Sequence, residues 1–531
     1  MQQKCFFKRL VGLLATSAAI GCSPQQPAAV PPAAPGATAP ERTAVEQQRA
    51  DASAAAAKET PKAPTDPAEL FAGWPQPQLA FFITGQQMGY IEPCGCTGLE
   101  NQKGGLARRA SFLKQLRDEK KWSVVPLDVG SQVRRYGKQP EIKFQRTANA
   151  LRTMEYRAVA LGADDLKMAA GELLVATNPD DKPSIFVSAN VAVLARDLQP
   201  QFQVVEAGGK KIGITSVLGE SFERRITSDE IVHSAAVASL KEACAQLKQL
   251  NCDLYVLLAH ASLDETRSIA QEVPIFDLVV SSGGGGEPTL ELEKIEGTES
   301  MLAQVGTKGM YVGVVGVFAD SAKPFRYERV ALDDRFADAP AMLSLLADYQ
   351  EQLRRLGFDG LEVKPQPHES GLKFAGSEKC GECHTKAFAV WEKTPHAHAL
   401  DSLVKPPNDR STIARHFDPE CLSCHVTGWE PQKFYPFESG YLSLEKTPHL
   451  SHNGCENCHG PGSAHAAAEA GENKLSDAKI AELRDSMKLP LAGGVAEQRC
   501  MQCHDLDNSP DFHTKGAFEK YWKDVEHVGK D

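Results

Sequence analysis

The sequence predicts two folded parts of different class, an α/β sandwich followed by a mainly α, loop-rich segment. Three observations predict it. Strand-like and helix-like runs alternate from about residue 76 to 335. Of the 14 cysteines, eight fall into four pairs of one fixed spacing, all beyond residue 379. Histidine is skewed the same way: of 15 in the chain, only His233 and His260 precede residue 368. A segment that concentrates both ligand types reads as a cofactor domain.

A chain of 531 residues is long enough for two or three domains. Its formal charge of -11 is spread along the chain, and no basic patch points to nucleic acid.

Residues 1–22 read as an export signal. Lys4, Lys8 and Arg9 precede a short apolar run, Leu10 to Ile20, too short to span a bilayer comfortably. The run ends in Ala19-Ile20-Gly21-Cys22, which resembles the bacterial lipobox. That resemblance implies cleavage before Cys22 and its lipidation, hence an anchored protein on the periplasmic side or the cell surface, at the outer membrane. An ordinary signal peptide with an incidental cysteine is the alternative. Residues 23–73 are rich in Ala, Pro, Gln and Thr and read as a disordered tether.

The paired cysteines carry the chemistry. They are Cys380-Gly-Glu-Cys383-His384, Cys421-Leu-Ser-Cys424-His425, Cys455-Glu-Asn-Cys458-His459 and Cys500-Met-Gln-Cys503-His504. Two thiols spaced this way reach the two vinyl groups of one porphyrin, and the next histidine sits under the iron. Zinc ribbons do not require a histidine after every pair, and plain disulfides require none. The reading is four covalently bound haem c groups, with His384, His425, His459 and His504 proximal. Histidines outside the motifs outnumber the irons that need a sixth ligand, so spacing alone assigns none of them.

Further residues turn the pattern into a resemblance. Trp391 and Thr394-Pro395-His396-Ala397 follow the first motif, Gly460-Pro461-Gly462 and His465 follow the third, and Tyr521-Trp522 and His527 end the chain. With these, residues 375–531 resemble the tetrahaem cytochromes related to the electron acceptor of hydroxylamine oxidoreductase. The resemblance implies closely packed haems and permits one open iron. It favours His396 and His465 as distal ligands, followed by His527 and one of His449 and His452, of which His452 is the expectation.

In residues 76–335 the expected strands are Leu79–Thr84, Ser123–Asp128, Arg157–Leu161, Ser184–Ala189, Lys211–Val217, Asp253–Ala259, Asp277–Val280 and Tyr311–Phe318. Helices are expected at Leu106–Leu116, Phe144–Met154, Ala235–Leu250 and Leu263–Gln271, and a helix at Ala339–Leu356 opens a connector over 336–374. Phe81-Phe82-Ile83-Thr84, Gly104-Gly105-Leu106-Ala107-Arg108-Arg109, Leu127-Asp128-Val129-Gly130, Ser188-Ala189-Asn190-Val191 and Leu257-Leu258-Ala259-His260 resemble the 5′-nucleotidase-like metallophosphatases. The resemblance implies a four-layer αββα sandwich.

Departures from that family stand at its metal ligands. Its Asp-x-His is Gln86-Gln87-Met88, its Gly-Asp is Gly130-Ser131, and its Gly-Asn-His-Glu is Gly162-Ala163-Asp164-Asp165. Ser281-Ser282 and Gly283 to Gly286 replace its late Gly-His-x-His, and His260 alone remains. Gln and Met cannot replace a carboxylate and an imidazole in a two-metal site, so no dimetal hydrolysis is expected. Cys94 and Cys96 stand after the first strand, as a thiol or metal site or as structural cysteines. Cys244 and Cys252 could be bridged.

The sequence thus predicts a membrane-anchored, exported electron-transfer protein that passes electrons between redox partner proteins. Two alternatives stand: a haem enzyme acting on a small nitrogen or sulfur compound at an open iron, and a hydrolase with accessory haems.

Overall fold

The computed structural model describes residues 70–93, 102–179, 183–320, 323–406, 413–506 and 508–527. Cys22, Cys94 and Cys96 lie outside them, as do the export signal and the tether up to residue 69. The tether's last residues belong to the body. Leu70 and Phe71 are buried, and the Phe71 ring meets Trp74 at 5.0 Å and Trp122 at 4.9 Å. Three aromatic rings that bury one another give this stretch a reason to fold that its Pro/Ala-rich predecessor lacks.

The strands of the body, in chain order, are β1 (Leu79–Thr84), β2 (Val124–Asp128), β3 (Ala158–Val159), β4 (Val191–Val193), β5 (Phe202–Ala207), β6 (Lys210–Leu218), β7 (Ile231–His233), β8 (Leu254–His260), β9 (Leu278–Ser281), β10 (Glu293–Lys294), β11 (Met301–Gln304), β12 (Tyr311–Val317) and β13 (Phe325–Ala331). One sheet runs β13-β12-β1-β2-β3 and the other β10-β11-β9-β8-β6-β5. The centres of both are parallel, β1 with β2 and β6 with β8 and β9, and the antiparallel strands β5, β10 and β13 lie at edges.

Strand alternation sorts the cores. Leu79, Phe81 and Ile83 of β1 face inward with Ile212, Ile214, Val256 and Leu258 and form the layer between the sheets. Ala80 and Phe82 point the other way, under the helices α1 (Leu106–Lys114), α2 (Lys138–Thr153) and α5 (Pro340–Gly360). On the far side, Val217, Leu257 and Ala259 pack under α3 (Ala236–Gln249) and α4 (Leu263–Glu272). The result is the expected αββα order.

Details differ from the sequence expectation for local reasons. Ser184–Ala189 is not a strand; Phe186 makes a single bridge to Val159. The Ser184 hydroxyl accepts Phe186 N at 3.1 Å, while Val187, Ser188 and Ala189 N go to carbonyls of three different segments, so no ladder forms. The edge strands β5 and β13 escaped notice because their polar outer residues break the apolar run. Cys244 and Cys252 are free thiols, not a bridge.

The segment beyond residue 375 is built of short helices and loops. Its apolar cluster is small: Leu400, Leu403, Leu422, Val426, Trp429, Tyr441 and Leu450. No helix among the described residues is long and apolar enough to cross a membrane.

Gly130 and Gly209 give a contrast that tests the packing. Both have positive φ, 88° and 74°. A Cβ on Gly130 would stand 2.7 Å from Gly162 N and 2.9 Å from Ala160 O, whereas one on Gly209 meets nothing within 4 Å. Gly209→Ala should cost only the left-handed strain, about 1–2 kcal/mol. Gly130→Ala adds a backbone collision and should lower the thermal midpoint of the body, followed by circular dichroism, several degrees further.

Candidate haem centres

Every motif lies on a helical turn. The first starts at the end of α6 (Ser377–Gly381), the second fills α8 (Pro419–His425), after α7 (Thr385–Trp391), the third is α9 (Cys455–His459), and the fourth begins at the end of α10 (Val495–Cys500). Where a motif overruns its helix the turn continues: His384 N donates to Cys380 O at 3.0 Å and His504 N to Cys500 O at 2.9 Å. A spacing of three on such a turn puts both thiols on one face. Asp418 caps α8, its carboxylate accepting Glu420 N at 2.9 Å.

The motif histidines are oriented by their far nitrogens. Nδ1 of His425 donates to Ala399 O at 2.7 Å, Nδ1 of His459 to Met487 O at 2.7 Å, and Nδ1 of His504 lies 3.2 Å from the Ser509 hydroxyl. A proton held on Nδ1 leaves Nε2 with a lone pair for iron.

Three of these rings face a second imidazole. His384 lies 6.3 Å from His465, His504 lies 6.0 Å from His396, and His459 lies 5.8 Å from His527, between ring centres. Two metal–imidazole bonds of about 2 Å end to end, with half a ring on either side, also come to about 6 Å. The donor set and its spacing therefore fit an iron between each pair. Burial pushes His396 down to about 4, which keeps it neutral and available as a ligand. His452 does not face a motif histidine. Its ring meets that of His398 at 6.3 Å, and its Nδ1 accepts from Leu400 N at 3.3 Å.

His425 is the exception among the four. No ring contact joins it to another imidazole among the described residues, and it lines a cavity of about 650 Å³ shared with the α/β body. Cys421 and Cys424 line the same space. The four motifs also associate in twos: the Cys380 and Cys455 thiols are within hydrogen-bond reach, and so are those of Cys424 and Cys503.

A polar network joins the body to the second motif. Gln139 Nε2 of α2 donates to Asp418 Oδ1 at 2.6 Å, and Lys143 Nζ bonds Glu420 Oε2 at 2.7 Å. From α5, Gln350 Nε2 reaches Asp418 Oδ2 at 3.2 Å and Tyr349 stands 3.4 Å away. Glu92 accepts from Arg415. Of this network only the Asp-Pro-Glu opening of α8 had a local signal, that of a helix cap. The remaining partners come from far along the chain.

In the body, the residues that stand where the sequence resemblance implies metal ligands are taken up by internal bonds. Gln86 Nε2 donates to Ser282 O at 2.7 Å, and Gln87 accepts from Arg109. Asp128 accepts from Thr84, Gly130 N and Gln132 at 2.6–2.9 Å and pairs with Arg109 at 3.8 Å, both side chains fully buried. Asp165 accepts from Ser131 N, Val133 N and Gly162 N, and Asp164 pairs with Lys167 and Arg225. His260 lies under Phe222 with its Nδ1 on Val129 O at 3.1 Å. Among the described residues no group of three or more His, Cys, Asp or Glu is disposed to hold a metal.

Comparison with known sequences decides the class of the C-terminal segment. Residues 379–460 match the family of cytochrome c554 and c-prime. The segment is thus similar to c-type cytochromes, which carry haem c on thioether bonds. Cytochrome c-554 of Nitrosomonas europaea is 28% identical over 164 residues, which is 29% of this chain and 67% of that protein. The body is similar to apyrase of Aedes albopictus, 23% identical over 293 residues, 49% of this chain. The chain spans about half the length of the apyrases it matches, 52% in each case. Among solved structures, a 5′-nucleotidase precursor from Thermus thermophilus has a TM-score of 0.45 at 18% identity, over 52% of this chain and 59% of that one. A sulfate thiohydrolase from Thermus thermophilus has a TM-score of 0.44 at 10% identity, over 54% and 62%.

His260 yields a pH prediction. Burial lowers it from 6.5 to about 4. Below 6.5 the unfolded chain takes up a proton there and the folded chain does not, so the stability it contributes is whole above 6.5 and drains as pH falls toward 4. The loss reaches about 3 kcal/mol at most. His260→Gln should therefore lose less of its thermal midpoint between pH 7 and 4.5 than the wild type; parallel losses would contradict the assignment.

Proposed function

We propose that this chain is an exported, lipid-anchored cytochrome that carries four haem c groups and passes electrons between redox partner proteins at a membrane surface. The observation that carries the reading is the set of three imidazole pairs, each about 6 Å apart and each pairing a motif histidine with one from a different segment. When bound, haem c supplies a reversible one-electron couple. The chain's part is to hold two imidazoles on one axis, which closes the iron to substrate and favours electron transfer. His384 with His465, His504 with His396 and His459 with His527 are the assignments it supports. Backbone carbonyls behind His425 and His459 keep the ligand nitrogens aimed. Motif thiols close enough to touch, Cys380 with Cys455 and Cys424 with Cys503, support haems packed within electron-transfer reach of each other.

A second reading rests on His425. With no imidazole opposite it among the described residues and a cavity beside it, an iron held by His425 would keep one position open for a small molecule. Three closed centres then serve the open one. Hydrolysis by the body has no such support, since its former ligand positions are engaged in internal hydrogen bonds.

The protein should be produced in a host that attaches haem c. Iron analysis and the absorption spectrum are expected to give four haems per chain, and electron paramagnetic resonance three low-spin ferric signals and one high-spin signal. Colourless protein, or zinc at the motifs, would end the proposal. His465→Ala should convert one low-spin signal to high-spin while keeping four haems. The purified protein should hold no stoichiometric divalent metal in the body and turn over no phosphate ester.

A further inference from the structure

His452 faces no motif histidine, yet its backbone is held at φ 69°, in the left-handed region. A residue with a side chain adopts that conformation at a cost, and surrounding bonds must keep it there. Its carbonyl accepts from Thr427 Oγ1 at 3.0 Å and its Nδ1 accepts from Leu400 N at 3.3 Å. The next residue, Asn453, is buried. Its Nδ2 donates to Cys424 O at 2.9 Å, its backbone N donates to His396 O at 3.2 Å, and its carbonyl accepts from Trp391 Nε1 at 3.0 Å. A carbonyl accepts only from the NH₂ end of an amide, so the bond to Cys424 O determines which way the Asn453 side chain is turned.

Two of these bonds hold the ends of one short segment, residues 396–400. Asn453 N takes His396 O at one end, and His452 Nδ1 takes Leu400 N at the other. What lies between serves two irons. His396 is the imidazole opposite His504 of the fourth motif. Ala399 O receives the Nδ1–H of His425, the histidine of the second motif, at 2.7 Å. Five residues thus carry the distal ligand of one haem and the orienting carbonyl for the proximal ligand of another. The segment has a single tight turn of its own, Pro395–His398. So short a turn has little rigidity and takes its place from the bonds at its ends.

We propose that His452 and Asn453 are positioning residues: together they clamp residues 396–400 and so set the ligand geometry of the second and fourth haems at once. The inference rests on the reading of four haems with His396 opposite His504, and adds to it the residues that hold this ligand in place. A hydrogen bond from the Nδ1–H of a ligand histidine makes its Nε2 a more basic donor, which favours ferric iron. Loosening the clamp moves Ala399 O away from His425 and raises the potential of the second haem. It also displaces His396 and alters the ligand field of the fourth. The first and third haems, with His384 facing His465 and His459 facing His527, have their ligands outside the clamped segment.

The test uses the full-length haem-loaded protein and follows each electron paramagnetic resonance signal through a reductive titration. His465→Ala, His396→Ala and His527→Ala each mark the signal of one haem, and the second haem is left by elimination. His452→Gly removes the Nδ1 acceptor and suits a φ of 69°, so it adds no strain. It should raise the midpoint potential of the second haem and shift the g values of the fourth, with the other two unchanged. His452→Asn keeps an acceptor, Oδ1, in the place of Nδ1 and tolerates the left-handed backbone, so it should restore both signals. Asn453→Ala removes the side-chain bond to Cys424 O and should shift the second haem's signal. If His452→Gly fails to load haem, Asn453→Ala decides. Either signal unchanged in loaded His452→Gly, a uniform shift of all four, no recovery in His452→Asn, or an unchanged second haem in Asn453→Ala would overturn the clamp and leave the four-haem reading standing. If His396→Ala converts no low-spin signal, the ligand assignment itself fails and the clamp fails with it.

Discussion

A c-type cytochrome segment of this size is held by bonds between its chain and its prosthetic groups. Between residues 375 and 527 the apolar side chains gather in one small cluster around Leu422, Trp429 and Tyr441. A polypeptide with so little to bury cannot offset the entropy of ordering its loops. Covalent haem changes that balance, because each porphyrin brings a large apolar surface and each imidazole clamps a distant loop. The partners that face the motif histidines show how far the clamping reaches. His396 follows the first motif but faces His504 of the fourth, and His465 follows the third but faces His384 of the first. Short helices suffice because the ligand axes tie them together.

The α/β body meets the opposite constraint. It has three apolar layers and needs no cofactor to close them. At the strand ends where the sequence resemblance implies metal ligands, this chain has Gln86, Ser131, Asp165 and a buried His260. Gln86, Asp165 and His260 are tied to backbone groups, and the buried pair of Arg109 and Asp128 lies in the same region. With these groups engaged, their polar atoms are committed to internal bonds.

The join between the parts is polar, buried and specific. Asp418 and Glu420 stand just before Cys421 and receive Gln139, Lys143, Tyr349 and Gln350 from two helices of the body. A network of this kind sets register between two surfaces more sharply than apolar contact would, since each unpaired member is penalised in a low dielectric. It brings the second motif, the one whose histidine has no imidazole opposite it among the described residues, against the body.

Much of this was legible in the sequence. Thiol spacing and the adjacent histidine are local, as are the strand and helix periods, so the motifs and the α/β class could be read directly, and the αββα order followed from the family resemblance. Local signals failed at edge strands with polar outer faces, at Ser184–Ala189, where no ladder forms, and at the start of the body, where Leu70 and Phe71 looked like tether. Pairing of the distal histidines was beyond that reading. His452 and His527 were equally good on spacing, and only the folded chain put His527 across from His459 and turned His452 toward His398. The amino-acid order alone determined which chemistry this chain carries, because thioether attachment and strand alternation act between near neighbours. The tertiary structure decided which imidazoles face each other, which motif histidine has no imidazole opposite it among the described residues and which surface of the body lies beside it, because those distances join residues up to some 300 positions apart.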